Sequence, residues 1–138
     1  MYPKKTRILI VDDMNMFRQM VRQALNTLDY TALIEAADGS LGLKALEEGI
    51  KNKDPFGFII CDWNMPKMKG IDLLRAVRGS PWGKTIPFLM LTAEADKKNV
   101  IEALSEGVDG YIIKPFTVNT LAGNMKQIYD KKNMQKAS

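Results

Sequence analysis

Five polar residues follow short apolar runs of this chain, and their types suit the transfer of a phosphoryl group. Asp12 and Asp13 come directly after one run, Asp62 after another, Thr92 ends a third and Lys114 closes a fourth. Carboxylates held close together repel each other unless they take up protons or bind a hard divalent cation. A hydroxyl and an ammonium are groups that hold a doubly charged phosphoryl group. The set therefore predicts a phosphoryl-transfer site with a metal ion.

The three acids point to Mg²⁺ in particular. Oxygen ligands without imidazole or thiolate suit that ion, which keeps several waters when bound. The chain has no histidine, and its single cysteine, Cys61, lies inside an apolar run, where we expect a small core residue. Asp62 lies between the other acids and the Thr92 and Lys114 side, which favours it as the nucleophile. The alternative is a solvated acidic rim.

These residues can meet only if the apolar runs are neighbouring strands. Each run is too short for a helix, is rich in Val, Ile, Leu or Phe, and is bounded by turn residues, which is typical of buried strands. The predicted strands are 7–11, 33–37, 58–61, 87–91 with Thr92 at its end, and 110–114.

Between the strands, apolar residues recur at helical spacing and predict five amphipathic helices. We expect the methionines of the first helix to fill the core, and Thr117 to be the N-cap of the last helix, which then frays into a polar tail. The predicted apolar faces are Phe17, Met20, Val21, Ala24, Leu25 and Leu28; Leu43, Leu46 and Ile50; Ile71, Leu74 and Val77; Val100 and Leu104 within 96–107; and Leu121, Met125 and Ile128.

Strands alternating with helices predict an α/β fold with a five-stranded, doubly wound parallel sheet. The order 2-1-3-4-5, the flavodoxin-like (βα)5 arrangement, sets the first and third strands side by side at the switch point. Asp12, Asp13 and Asp62 then converge. With 138 residues, we expect one domain over 1–138, with its core at about 5–129 and basic, polar termini.

Charge and hydropathy narrow the classes of partner. The two ends together carry a charge of +6. Because the net charge of the chain is +4, the residues between the ends carry −2. With no basic face interleaved with aromatic residues, we expect no nucleic-acid partner. No apolar run reaches the length of about 18 residues that crosses a bilayer, so we also expect no membrane contact and a cytoplasmic location.

The motifs resemble the receiver domains of two-component response regulators over nearly the whole chain. Asp12-Asp13, Asp62, Thr92 and Lys114-Pro115 match the pattern of that family. Residues 62–66, residues 91–95, and residues 110–111 together with 114–117 are similar to its chemotaxis regulators in particular. Asn124 and Gln127 depart from those regulators, which questions identical contacts with a motor partner. Met14 and the longer 51–55 loop also depart from them, but neither is expected to impair phosphorylation.

The resemblance implies a role for each matching position. Asp62 is the phosphoacceptor, and Asp13, Asp62 and the backbone carbonyl of Asn64 bind Mg²⁺ directly, with Asp12 acting mainly through water. Thr92 and Lys114 hold phosphoryl oxygens. The Lys114-Pro115 bond is expected to be cis, a form confined almost entirely to X-Pro bonds.

The resemblance also implies how such a chain is switched. Tyr111 moves inward when Thr92 is drawn to the phosphoryl group, small Ala93 leaves the crevice open, and Asn64 and Glu94 tune autodephosphorylation towards a short-lived signal. The expected partner surface comprises Lys97, Tyr111, Ile113, Phe116 and Thr120.

By this resemblance the chain is a stand-alone signalling protein and not an enzyme acting on a separate substrate, although it catalyses its own phosphorylation and dephosphorylation. We expect a histidine kinase as phosphodonor, a small phosphodonor as a substitute, the flagellar motor switch as target, and a possible phosphatase. A phosphorelay carrier that passes the group to a histidine phosphotransfer domain is the alternative.

Two other classes fit the sequence less well. A flavodoxin-like electron carrier needs a Ser/Thr/Gly-rich phosphate loop where this chain has Asp12-Asp13. A phosphatase of the haloacid dehalogenase type needs an Asp-x-Asp start, and Asp62-Trp63-Asn64 lacks the second acid.

Overall fold

The computed structural model describes residues 1–137 and contains, within them, five strands that alternate with five helices. The three central strands are wholly buried, as expected for a sheet covered on both faces. No helix in this described part has both the length and the apolar character that a membrane crossing requires. In chain order the elements are β1 (Ile8–Val11), α1 (Asn15–Thr27), β2 (Leu33–Ala36), α2 (Gly39–Lys51), β3 (Phe58–Cys61), α3 (Gly70–Gly79), β4 (Phe88–Thr92), α4 (Lys97–Ser105), β5 (Gly110–Ile113) and α5 (Val118–Ala137).

The strands are all parallel and lie in the predicted order, β2-β1-β3-β4-β5. The register of β1 and β3 sets Val11 opposite Cys61. The amide of Asp62 donates to the Val11 carbonyl over 2.9 Å, so Asp12 and Asp62 leave the sheet side by side. The order of the strands thus brings two acids from distant parts of the chain to one edge.

The second half of the sheet brings the other polar residues to the same edge. Thr92, the last residue of β4, lies opposite Ile113, the last residue of β5. The Lys114 amide donates to the Thr92 carbonyl over 2.8 Å. Because the strands are parallel, Thr92 and Lys114 lie at the same carboxyl edge as the acids.

Alternation of side chains along each strand divides the core into two layers. In β1, Leu9 and Val11 pack in a layer with α2 and α3, while Ile8 and Ile10 pack in the opposite layer with α1 and α5. Cys61 is completely buried, as predicted, and burial raises the pKa of its thiol. The sheet is therefore a rigid base for the residues at its edge.

The predicted inward faces of three helices, α1, α2 and α4, are partly wrong. Leu104 is 58% exposed, and Ala103 is the buried residue of α4. Successive residues of a helix are about 100° apart, so packing Ala103 on the sheet turns Leu104 towards solvent. Met16 and Met20, the methionines of α1 that were expected to fill the core, are 58% and 40% exposed, and Ile50 of α2 is also exposed.

The last helix begins as predicted but does not fray where expected. The Thr117 hydroxyl accepts the Thr120 amide over 3.0 Å, which is an N-cap contact. Instead of ending in a polar tail after its last core residue, α5 continues to Ala137. Lys132 lies 3.1 Å from Asp109 and attaches this added length to the rest of the fold.

Candidate functional site

The three predicted acids meet at the carboxyl edge of the sheet. Asp12, Asp13 and Asp62 each have a carboxylate oxygen within 4.8 Å of the others. Asp12 and Asp62 are buried, whereas Asp13 is exposed. Burial raises the pKa of the Asp12 carboxyl, although hydrogen bonds from Lys114 and the Met14 amide act in the opposite direction. A compact group of carboxylate oxygens, open to solvent on one side, fits a hard divalent cation.

Lys114 is the cation that already lies among these acids. Its ammonium is 2.8 Å from Asp12 Oδ2 and 3.4 Å from Asp62 Oδ2, and its side chain is only 7% exposed. The ammonium also lies 3.7 Å from the centre of the Phe17 ring. The lysine thus reduces the repulsion between the two buried acids.

The loop after β3 holds Asp62 in a fixed orientation. Its Oδ1 accepts the Trp63 amide over 2.7 Å, and the Gly70 amide donates to the Trp63 carbonyl over 2.9 Å. A methyl group at Gly70 would overlap the Asp62 carbonyl oxygen, so the start of α3 approaches the acid as closely as a glycine allows.

The hydroxyl groups of Thr92 and Tyr111 both form hydrogen bonds with the backbone of Glu94. The Glu94 amide donates to Thr92 Oγ1 over 3.1 Å, and the Tyr111 hydroxyl donates to the Glu94 carbonyl over 2.7 Å. Thr92 is completely buried. Burial, with the charges of Glu94 and Asp62, raises the pKa of Tyr111 to about 12. Glu94 therefore connects the end of β4 to the side chain of Tyr111 in β5.

The loops after β3 and β4 also meet through side chains. Hydrogen bonds from Asn99, the Asp96 amide and Asn64 lower the pKa of the Glu94 carboxyl. Asn64 and Glu94, which the resemblance assigns a common role, line the same surface cavity, and Ala93 beside Glu94 is exposed. Asn99 was missed from the sequence, because an asparagine on a helix surface carries no signal of such a contact.

The remaining expected features lie around the same edge. The Lys114-Pro115 bond is cis, as the resemblance implies. Of the residues expected at the partner surface, Tyr111 and Phe116 are half-buried and the rest are exposed. Beside them, α4 exposes Ile101 and Leu104, which the sequence did not identify as surface residues. The full predicted set is Lys97, Tyr111, Ile113, Phe116 and Thr120.

Comparisons with known proteins agree with this geometry. The family model described as the response regulator receiver domain matches residues 8–126. Chemotaxis protein CheY of Pseudomonas aeruginosa is 44% identical over 127 residues, which cover 92% of this chain and 98% of that protein. Chemotaxis protein CheY-3 of Vibrio cholerae is 43% identical over 128 residues, which cover 93% and 95%.

A solved structure gives the same result for the fold. Chemotaxis protein CheY4 of Vibrio cholerae superimposes with a TM-score of 0.79 at 35% identity, and the match covers 90% of this chain and 98% of that one. The similarity therefore extends over the sheet, the helices and the whole edge that carries the acids.

Proposed function

Since this chain belongs to the response regulator receiver family, we propose that it is a chemotaxis-type receiver that accepts a phosphoryl group on Asp62 in a Mg²⁺-dependent reaction. The observation that carries the proposal is the convergence of Asp12, Asp13, Asp62 and Lys114 at one sheet edge. A histidine kinase is the proposed donor, because the chain has no histidine of its own.

In the proposed reaction a carboxylate oxygen of Asp62 attacks phosphorus in line. A bond between this oxygen and phosphorus forms while the phosphorus–nitrogen bond of the donor phosphohistidine breaks, and the nitrogen keeps the electron pair. The Lys114 ammonium, 3.4 Å from Asp62, and the Thr92 hydroxyl donate to the phosphoryl oxygens. Asn64 and Glu94, which line the same cavity, control the approach of water and hence the lifetime of the phosphoryl group.

The donor set supports the assignment of the metal. Asp13, Asp62 and the Asn64 backbone carbonyl would bind Mg²⁺ directly, and Asp12 would act mainly through water. Asp13 is the exposed member of the cluster, so an ion can approach it from solvent. When bound, the ion neutralises charge on the carboxylates and on the transferring group.

The signal passes from the site to a surface by a shift in population. A change from 1% to 99% active protein needs a preference of about 5.5 kcal/mol for the active state. Thr92 and Tyr111 both bind the backbone of Glu94, so a pull on the Thr92 hydroxyl is transmitted to Tyr111. The proposed partner surface lies around Tyr111 and Ile113, and the proposed target is the flagellar motor switch. A phosphatase would reach Asp62 through the same mouth.

Tryptophan fluorescence tests the site directly, because Trp63 is buried next to Asp62. The Trp82→Phe variant removes the second tryptophan, so that its fluorescence comes from Trp63. The Trp63 emission of this variant is followed during a Mg²⁺ titration and then after addition of acetyl phosphate. We expect a saturable change with Mg²⁺ and a further change with the donor that Asp62→Asn abolishes. Folded protein that responds to neither would contradict the proposal.

A binding experiment then separates the two kinds of output. Protein kept phosphorylated with acetyl phosphate is offered to a flagellar switch protein or to a histidine phosphotransfer domain. We expect capture by the switch protein, reduced by Ile113→Glu but not by Ile34→Glu, a change at a similarly exposed isoleucine on the other edge strand. Transfer of the phosphoryl group to the histidine domain, without switch binding, would favour the relay.

A further inference from the structure

The ring of Phe17 is in direct contact with the lysine of the site. The sequence marks Phe17 only as an apolar residue of α1, but its ring centre lies 3.7 Å from the Lys114 ammonium. The lysine side chain is 7% exposed, so this contact is largely shielded from water. A cation over an aromatic face is attracted by the ring quadrupole, and the attraction is stronger when water is excluded.

We propose that Phe17 is a positioning residue that holds the Lys114 ammonium beside Asp12 and Asp62. The inference rests on the proposed function and concerns two of its steps, the binding of Mg²⁺ and the transfer of the phosphoryl group. The ring weakens Mg²⁺ binding in the unphosphorylated protein, and it keeps the ammonium close to Asp62 for the transfer of the phosphoryl group.

The first effect follows from competition for the same oxygens. The ammonium already contacts Asp12 Oδ2 and Asp62 Oδ2, two of the acids that would hold the metal. A divalent cation must displace or repel the ammonium to use them. Because the ring stabilises the ammonium at this position, it favours the lysine in the competition. Loss of the ring should therefore strengthen Mg²⁺ binding.

The second effect of the ring, on phosphorylation, is favourable, whereas its effect on Mg²⁺ binding is unfavourable. Within residues 1–137 the ammonium contacts Asp12, Asp62 and the Phe17 ring. When a metal ion binds the two carboxylates, the contact with the ring remains to hold the ammonium near the site. The ammonium must remain near Asp62 to donate to phosphoryl oxygens. Loss of the ring should therefore slow phosphorylation even when the metal site is saturated.

The test measures both quantities in Phe17→Leu. We expect the Mg²⁺ dissociation constant, from Trp63 fluorescence, to fall by about two- to tenfold, and the rate of phosphorylation by acetyl phosphate at saturating Mg²⁺ to fall by a similar factor. Phe17→Tyr retains an aromatic face and should behave as wild type. Met16→Leu, a change at an exposed neighbour on the same helix, should alter neither quantity.

A double-mutant cycle distinguishes positioning from a general effect on structure. In a Lys114→Met background, Phe17→Leu should leave the Mg²⁺ dissociation constant unchanged, because the cation that the ring holds is absent. An unchanged constant for Phe17→Leu alone, or an equal change in both backgrounds, would overturn the inference. Wild-type protein that does not bind Mg²⁺ would overturn the proposed function as well, so the two failures are distinguishable.

Discussion

At the scale of single residues, we expect repulsion within the acidic cluster to oppose folding in the absence of metal. Asp13 adds a third carboxylate within 4.8 Å of two buried ones. We predict that Asp13→Asn raises the free energy of unfolding by about 0.5–1 kcal/mol without Mg²⁺, because it removes repulsion at a solvent-exposed position. The same variant should lose most of the stabilisation that Mg²⁺ gives to wild type.

Urea denaturation with and without Mg²⁺ measures both effects. Glu47→Gln, at an exposed acid of α2, is the control and should change stability equally in the two conditions. If Asp13→Asn were less stable than wild type without Mg²⁺, the repulsion inferred among the three carboxylates would be wrong.

Most residues that meet in the site could be identified from the sequence, and the reason is topological. Asp12, Asp62, Thr92 and Lys114 each lie at the end of a strand or directly after it, and parallel strands in this order bring those ends together. The contact of Phe17 with Lys114 could not be identified, because spacing along α1 marks Phe17 as apolar without saying which side chain it meets.

At the scale of elements, edge strand β2 is attached to α1 through one carboxylate. Glu35 accepts Arg18 Nε over 3.0 Å and Arg22 Nε over 2.8 Å. Partial burial acts to raise the pKa of Glu35, but hydrogen bonds and charges from both arginines outweigh it, so the pKa lies below the ordinary value of 4.5. The stabilisation is present above that value and is lost as pH falls through the folded-state pKa.

We therefore predict a pH-dependent loss of stability for Glu35→Gln. The free energy of unfolding should fall by about 1 kcal/mol at neutral pH, a figure reduced for partial exposure of the pair. The difference from wild type should shrink as pH falls from the ordinary glutamate pKa through the lower folded-state pKa, where Glu35 of the folded wild type becomes protonated. Urea denaturation across a pH series measures this, with exposed Glu48→Gln as control. A difference that stays constant down to strongly acidic pH would contradict the assignment.

Gly70 allows the start of α3 to lie close to the backbone that follows β3. A methyl group at Gly70 would overlap the Asp62 carbonyl, a backbone atom that cannot move aside by rotation of a side chain. We predict that Gly70→Ala lowers the free energy of unfolding by about 1–3 kcal/mol and weakens Mg²⁺ binding, because the acid is displaced. Gly123→Ala, in open space on α5, should instead stabilise by about 0.5–1 kcal/mol. Equal effects of the two changes in thermal unfolding would contradict the close approach.

The order of the elements was predictable because alternation of strand and helix leaves few arrangements of a parallel sheet. The sequence did not determine the rotation of each helix about its own axis, and therefore which residues face the sheet. In α4 both Ala103 and Leu104 are apolar, and packing of the smaller residue against the sheet leaves the larger one exposed. The extension of α5 to Ala137 was also missed, because the ion pair between Lys132 and Asp109 joins residues distant in sequence.

At the scale of the whole molecule, the site and the proposed partner surface are linked through the end of β4 and β5. Lys114 follows β5 directly, its amide donates to the Thr92 carbonyl, and its ammonium lies beside Asp62. Phosphorylation would thus draw on Asp62 directly after β3, Thr92 at the end of β4 and Lys114 directly after β5. In the proposed function, a change at the phosphoryl group would then reach Tyr111 and Ile113 of β5, the strand that directly precedes Lys114.

We predict that Lys114→Ala separates phosphorylation from signalling. The variant retains Asp62 and the other acids, so it should still accept the phosphoryl group from acetyl phosphate, although more slowly. The increase in partner affinity on phosphorylation should be smaller by about tenfold or more, because a charge-assisted hydrogen bond that favours the active state is lost. Partner affinity is measured for the phosphorylated and unphosphorylated forms, with Lys44→Ala, an exposed lysine of α2, as control. Normal phosphorylation combined with a normal gain in affinity would exclude Lys114 from the switch, and the coupling would then have to pass through Thr92 alone.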